Sequence, residues 1–187
     1  MNARKQAVLD AIDAANSQDP NLEDGQPAEL LYGQRMSAEL DRLFPDASDP
    51  LQFAARGQHV ERWKLARSEY PEGRAGYLTW RKAQGVHHAD VVTGLMEQSG
   101  YSADDVEAAG RMLRKQGIKR DAEVQALEDV ICFVFLKWYF APFAKKHSAE
   151  KIQNIVEKTA RKMSDDGRAR VLSEFDLPDH LAAAFQT

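Results

Sequence analysis

The sequence predicts an all-helical fold, and three observations carry that expectation. Alanine outnumbers valine, isoleucine and threonine together, 27 to 20. Alanine is the strongest helix former, whereas β-branched residues favour strands. Apolar residues recur three and four apart, as in Ala7, Val8, Ala11, Ile12 and Ala15, which is the helical period. No alternating apolar–polar run exceeds about four residues, so no sheet is expected. A chain of 187 residues and 21.0 kDa predicts one domain, residues 1–187. It is read here as a single compact helical domain of roughly eight helices. A chain of this length buries about 70% of its unfolded surface and needs no staples.

The elements follow in order. The first stripe ends at Asp19-Pro20, because proline cannot continue a helix. Pro27 suits the first turn of a second helix, which carries Leu30, Leu31 and Leu40. Asp49-Pro50 opens a third, running through Leu51, Ala55, His59, Arg62 and Trp63. Residues 68–76 hold one proline and two glycines and read as an ordered loop. A short helix over residues 77–84 is expected to stop at Gly85. Another, over residues 86–99, is expected to stop at Gly100.

Ser102 and Asp105 resemble a capping box with Asp in place of Glu, opening a helix to about residue 116. Gly117 closes it. Asp121 caps the next helix, with Val124, Leu127, Ile131, Phe135 and Trp138 on one stripe. Residues 130–136 are apolar all round, as in a central core helix. They are too few for a membrane span, which needs about 20. Pro142 should kink or end this helix. Ser148 opens another, with Ile152, Ile155, Val156, Thr159 and Met163 inward. Leu172, Phe175 and Leu181 to Phe185 suggest short closing helices.

Composition narrows the function classes. Hydrophobic residues make up 43% and charged residues 29%, a globular balance. The net charge is −4 and the pI about 5.8, which argues against a strongly basic nucleic-acid binder but not against a local basic patch. The single cysteine, Cys132, excludes an intrachain disulfide and a paired-cysteine zinc site. It lies in the apolar segment and reads as inert packing. The first ten residues lack the apolar core of a signal peptide, so a cytoplasmic protein that does not engage membranes is expected.

Three clusters carry the candidate chemistry. His59 shares its helical face with Gln52, Ala55, Arg56, Arg62 and Trp63. A structural face rarely collects two guanidinium groups, since each must be paired or wet. Glu128-Asp129 stands just before the most apolar segment, and adjacent helical residues point about 100° apart. At least one of these carboxylates should therefore face other helices, where it must be paired, protonated or bound to metal. His59, His88 and Asp129 fall on three separate predicted helices, a set that suits one divalent first-row ion. The plainer reading is an ion pair between a carboxylate and an arginine, with histidines packed in the core. Between Arg56 and Lys82 lie seven cations and three acids, with Trp63, Tyr70, Tyr77 and Trp80 interleaved. Arginine grips phosphate with parallel donors, and rings stack on bases. Here too a structural reading stands beside the functional one.

The order His…His…Asp resembles the HD superfamily of metal-dependent phosphohydrolases. The family's middle element is an adjacent His-Asp, whereas this chain has His88-Ala89-Asp90. Asp90 lies about 200° around the helix from His88 and cannot substitute for the missing acid. Lys162-Met163-Ser164 resembles half of a class I aminoacyl-tRNA synthetase signature. However, Asp165-Asp166 follow, its histidine motif is absent, and the alternating strands of a nucleotide-binding fold are missing. There is no Gly-rich phosphate loop, nucleophile elbow or zinc-protease motif.

Several segments together carry a more specific resemblance. They include residues 11–16, residues 30–36 and residues 54–63, the last containing Ala55-Arg56-Gly57-Gln58-His59. Residues 76–81, His88-Ala89, residues 127–130, Lys158-Thr159 and residues 162–164 complete the set. The chain resembles the uncharacterised domain-of-unknown-function family 4202 over nearly its whole length. Some members of that family carry a glutamyl-tRNA synthetase-related label. The resemblance implies a small helical protein and supplies no reaction.

Three functions are therefore carried forward. The first is a metal-dependent phosphohydrolase-like enzyme acting on a small phosphorylated or nucleotide substrate. His59, His88 and Asp129 would hold the metal, and Glu128 would orient a water or take its proton. Arg56, Arg62, Arg74, Arg81, Lys158 and Lys162 would hold phosphate, with Trp63 and Trp80 stacking on the substrate or walling the pocket. The second is a non-catalytic module binding an anion, a nucleotide or an RNA end through the same arginines. RNA is the partner that the net charge does not indicate. The third is a helical scaffold in which all these residues are structural.

Overall fold

The first apolar stripe becomes helix α1 (Ala3–Asn16) in the computed structural model, which describes residues 3–186. Val8 and Ile12, four apart, are its fully buried apolar positions. The fold is all-α, with ten α-helices among the described residues and one very small sheet. None of these helices is long and apolar enough to cross a membrane. Packing divides the chain into two units, Met1–Gly117 and Ile118–Thr187. No change in composition marks this division, and Gly117 (φ 97°) is the sequence's own sign of a helix ending there.

In the first unit, strands β1 (Leu22–Glu23) and β2 (Gln26–Pro27) pair antiparallel. Asp24 and Gly25 join them with φ of 50° and 79°. Both turn residues are left-handed, the conformation that an Asp-Gly pair favours in a two-residue hairpin. Two-residue strands are too short to leave an alternating pattern, which is why the sequence shows no sheet. Helix α2 (Ala28–Leu43) follows with Tyr32, Met36 and Leu40 inward. Helix α3 (Asp49–Arg56) is capped by Ser48, with Pro50 in its first turn.

Two sequence expectations change here. The third helix stops at Arg56, and Glu61 adopts a left-handed φ of 53°. His59 and Arg62 therefore stand in a turn and a short 3-10 segment (Arg62–Lys64) rather than on a helical face. Gly85, read as a stop, lies inside one continuous helix, α4 (Gly73–Gln98). A side-chain Cβ at Gly85 would sit 3.2 Å from the Leu113 carbonyl oxygen. This glycine permits close packing against α5 (Ala103–Leu113), and that contact outweighs its helix penalty of about 1 kcal/mol. Ser102 caps α5 by accepting from the Asp105 amide and donates to the Asp105 carboxylate, as its spacing predicts. Gly100 (φ 75°) follows the end of α4.

In the second unit, Asp121 caps α6 (Ala122–Val134). Val130, Cys132, Phe133, Val134 and Leu136 are buried, as the apolar run predicts. The chain then passes through one wide turn (Phe135–Tyr139) into α7 (Phe140–Ala144). The Phe140 amide bonds five residues back, to the Phe135 carbonyl. Pro142 lacks an amide hydrogen and its ring crowds the carbonyl four residues earlier, so the helix widens instead of continuing regularly. Ser148 caps α8 (Ala149–Lys162), and Ser164 caps α9 (Asp165–Glu174). The short helix α10 (Asp179–Ala182) closes the chain, with Leu181 and Phe185 buried.

Asp129 ties α6 to the start of α9. It accepts from the Ser164 amide at 2.8 Å, from the Ser164 hydroxyl, and from the Gln125 amide at 3.0 Å. Ser164 Oγ in turn accepts from the Gly167 amide at 2.9 Å. A Cβ at Gly167 would lie 2.9 Å from the Asp129 carboxyl carbon. Asp129→Ala strips the buried carboxylate from a half-buried serine cap and should cost on the order of 3 kcal/mol. Gly167→Ala should cost about 1–3 kcal/mol through crowding. Urea unfolding of each variant measures both losses, and a change under about 0.5 kcal/mol, the range of an ordinary surface substitution, would refute this account of the joint.

Candidate anion-binding site

Trp80, Gln84 and His88 are spaced four apart on α4 and so share one face. All three donate to backbone carbonyls of the irregular segment after α3. Trp80 Nε1 donates to Leu65 at 2.9 Å, and Gln84 Nε2 to Leu65 at 3.0 Å and Arg62 at 2.9 Å. His88 Nδ1 meets the Val60 carbonyl at 2.8 Å. A carbonyl only accepts, so Nδ1 carries the proton and Nε2 is a bare lone pair. From the other side, Asn16 Oδ1 accepts from the Glu61 amide at 3.0 Å, and Asn16 Nδ2 donates to the Glu29 carbonyl at 3.3 Å. The segment bearing His59 and Arg62 is thus fixed by side chains rather than by regular structure.

His59 stacks on Tyr32 with ring centroids 3.8 Å apart and an interplanar angle of 10°. Its Nδ1 lies 3.0 Å from Glu29 Oε2, and its Nε2 lies 3.2 Å from Arg62 Nη1. The arginine can only donate, so Nε2 is the acceptor and Nδ1 donates to Glu29. Burial, followed by the charges of Arg62, Arg81 and Lys115, holds His59 well below its usual range, in the neutral form. Burial pushes Glu29 up to about 7, against the opposing pull of Arg62. Burial also lowers His88 to about 2, with the neighbouring His59 ring next in effect. Arg62 completes the cluster, with its guanidinium 4.9 Å from the Trp80 ring and 3.8 Å from Glu29.

Beside this cluster lies a cavity of about 310 Å³. Arg62, Arg81, Lys82, Arg114 and Lys115 line it together with His59, His88, Gln58 and Gln84. Its wall holds five cations and, among the described residues, no carboxylate. Arg81 and Lys82 make no ion pair with any described residue. A chain of net charge −4 therefore concentrates positive charge on one concave wall, where a low-dielectric boundary focuses the field.

The residues singled out from sequence fall into separate places. Arg62 and Arg81 share the cavity with His59 and His88, and Trp80 backs Arg62. Arg56 does not line it. Its guanidinium pairs with both oxygens of Asp13, with Nε at 2.6 Å, because α3 ends at Arg56 and turns this side chain toward α1. Arg74 is exposed in the first turn of α4, and Trp63 is half-buried in the 3-10 segment. Neither lines the cavity. Glu128, Asp129, Lys158 and Lys162 belong to the second unit. There Lys162 Nζ lies 3.5 Å from Glu128 Oε1, and Lys158 is exposed. The carboxylates at 128 and 129 thus engage a lysine, a serine and a glutamine. Gln58, Gln84, Lys82, Arg114 and Lys115 were not anticipated as site residues. Their signal was present for the last two, because residues 111–120 hold five cations and no acid.

The ligand-type residues do not fit a metal ion as they stand. The rings of His59 and His88 are 6.1 Å apart, yet an ion at His59 Nε2 would meet the Arg62 guanidinium already 3.2 Å away. His88 has only Nε2 to offer, and Asp129 already accepts three hydrogen bonds. Among the described residues, no group of three or more His, Cys, Asp or Glu side chains is placed to hold a metal. The His…His…Asp order on three helices also lapses, since His59 is not helical.

The neutral His88 has a thermodynamic signature. The unfolded chain takes up a proton at this residue below about pH 6.5, whereas the folded chain resists uptake down to about 2. Stability at this position is full above pH 6.5 and falls as pH drops below it. His88→Asn keeps an amide donor for Val60 and removes the titration. Its stability should fall less steeply between pH 4 and 6, by about 1.4 kcal/mol per pH unit. Urea unfolding across that range measures the difference, and parallel slopes for the two proteins would refute it.

No curated protein and no solved structure matches the chain. Residues 6–184 match a family described as a domain of unknown function, DUF4202. That span takes in α2 to α10 whole, and with them every residue of the cavity wall. The chain is therefore a member of the DUF4202 family.

Proposed function

We propose that the first unit binds a small phosphorylated molecule in the Arg62–Arg81–Lys115 cavity. One observation carries this reading: five cations line the wall, no carboxylate stands on it, and Arg81 and Lys82 have no acidic partner among the described residues. Buried or half-buried arginines are costly unless paired, and a phosphate would supply the missing partner with charge-assisted hydrogen bonds. The volume of about 310 Å³ suits a small molecule rather than a polymer.

Arg62 is held ready by His59, Glu29 and the Trp80 ring. It would therefore lose little side-chain freedom on binding. Neutral His59 and His88 add no charge and leave the field to the guanidinium and ammonium groups. The reading is of binding rather than metal-dependent hydrolysis, because His59 Nε2 and Asp129 already hold other partners and His88 Nε2 alone is left.

Titration calorimetry with a phosphorylated ligand such as a nucleoside or sugar monophosphate tests the proposal. Binding should weaken as salt rises, since screening acts on every one of these cations. Arg81→Ala should leave folding intact and weaken binding about tenfold or more, the loss expected for a charge-assisted pair. No binding by the wild-type protein at low salt, or equal binding by Arg81→Ala, would overturn the proposal.

A further inference from the structure

Within the described residues, four buried side-chain atoms lack a hydrogen-bond partner: Gln58 Oε1, Gln84 Oε1, His88 Nε2 and His87 Nε2. The first three belong to residues that line the cavity. All three residues are more than nine-tenths buried, at 6%, 2% and 3% exposure. Two have fixed roles. Gln84 Nε2 is spent on two carbonyls, so the amide cannot flip and Oε1 must be the free end. His88 Nδ1 is spent on Val60, so Nε2 can only accept. Leaving such acceptors unpaired is expensive, and their clustering beside one cavity calls for a ligand that brings donors.

A doubly ionised phosphate ester brings none, and inorganic phosphate at neutral pH keeps only one or two P–OH hydrogens for three acceptors. A nucleotide brings a flat base, but no Phe, Tyr or Trp lines the cavity to stack it. His59, the nearest flat ring, already lies face to face on Tyr32. Hydroxyl groups are the donors that remain, because each can turn its hydrogen toward whichever acceptor it meets.

We infer that the ligand is a phosphorylated polyhydroxy compound, a sugar phosphate in chemical class. Its hydroxyls donate to Gln58, Gln84 and His88 while its phosphate meets the cations. Side-chain shifts of the kind common on binding bring the buried acceptors into reach. This inference rests on the cavity being an anion site, and the test separates the two.

The experiment is calorimetry at low salt on the full chain with five probes: inorganic phosphate, glycerol 3-phosphate, ribose 5-phosphate, glucose 6-phosphate and AMP. At least one of the three hydroxylated phosphates should bind tenfold or more tighter than inorganic phosphate, and tighter than AMP. Gln58→Met and His88→Asn should each lose about tenfold for that ligand while keeping the inorganic phosphate affinity. Arg81→Ala should weaken both. If all three hydroxylated phosphates merely equal inorganic phosphate, the hydroxyl reading falls and the anion site stands. If AMP binds tightest, the site takes nucleotides and this inference is wrong. If nothing binds, both readings fall. Should His88→Asn fail to fold by thermal melting, Gln58→Met and the wild-type panel decide the matter.

Discussion

The first unit depends on one arrangement, a helix face that donates to a loop. Trp80, Gln84 and His88 present three donors at four-residue intervals, and the carbonyls of Val60, Arg62 and Leu65 accept them. Each bond contributes about 1 kcal/mol net, but its absence would leave a buried carbonyl unsatisfied at greater cost. The segment between α3 and α4 has only short i to i+3 backbone turns of its own to fall back on. Without this face, Arg62 would lose its place beside His59 and Trp80, and the cavity would lose one wall.

The electrostatics follow from that placement. Burial makes a positive charge on the His59 ring unfavourable, and Arg62 fixed beside it adds to the effect. The histidines are therefore neutral scaffold, each with one nitrogen donating and the other accepting or unpaired. Glu29 is drawn in two directions by burial and by Arg62, and its balance lies at about 7. It supports His59 from behind and is not among the residues lining the cavity.

Much of the fold was legible because helix caps and apolar stripes act locally. Ser102, Asp121 and Ser148 each cap the helix that their position announces, and Asp49-Pro50 marks the start of α3. Gly85 was misleading for a physical reason: it resembles a helix stop, but it is a point of contact with α5. Splitting α4 there hid the Trp80–Gln84–His88 face, which spans the glycine and shows only on one uninterrupted helix. The chain after Arg56 was misleading in the opposite direction, since Gln52, Ala55, His59 and Arg62 keep helical spacing past the true helix end. Local charge excess singled out Arg62 and Arg81, and both line the cavity. Arg114 and Lys115 join them only through the packing of α5 on α4, a long-range contact that no local pattern encodes. Asp129 looked like a ligand because it is acidic among apolar residues, and burial alone does not distinguish a ligand from the anchor of a helix cap.

A wall of like charges has a consequence for handling the protein. The five cations on the cavity wall repel one another, and any anion that settled there would relieve the repulsion. Stability measured in phosphate buffer would then contain a contribution from the buffer itself. Mass action makes this about 2.7 kcal/mol when the anion stands at a hundred times its dissociation constant. The melting temperature of this chain is in that sense a property of the solution as well as of the sequence, and a buffer without multivalent anions is the reference in which the fold stands alone.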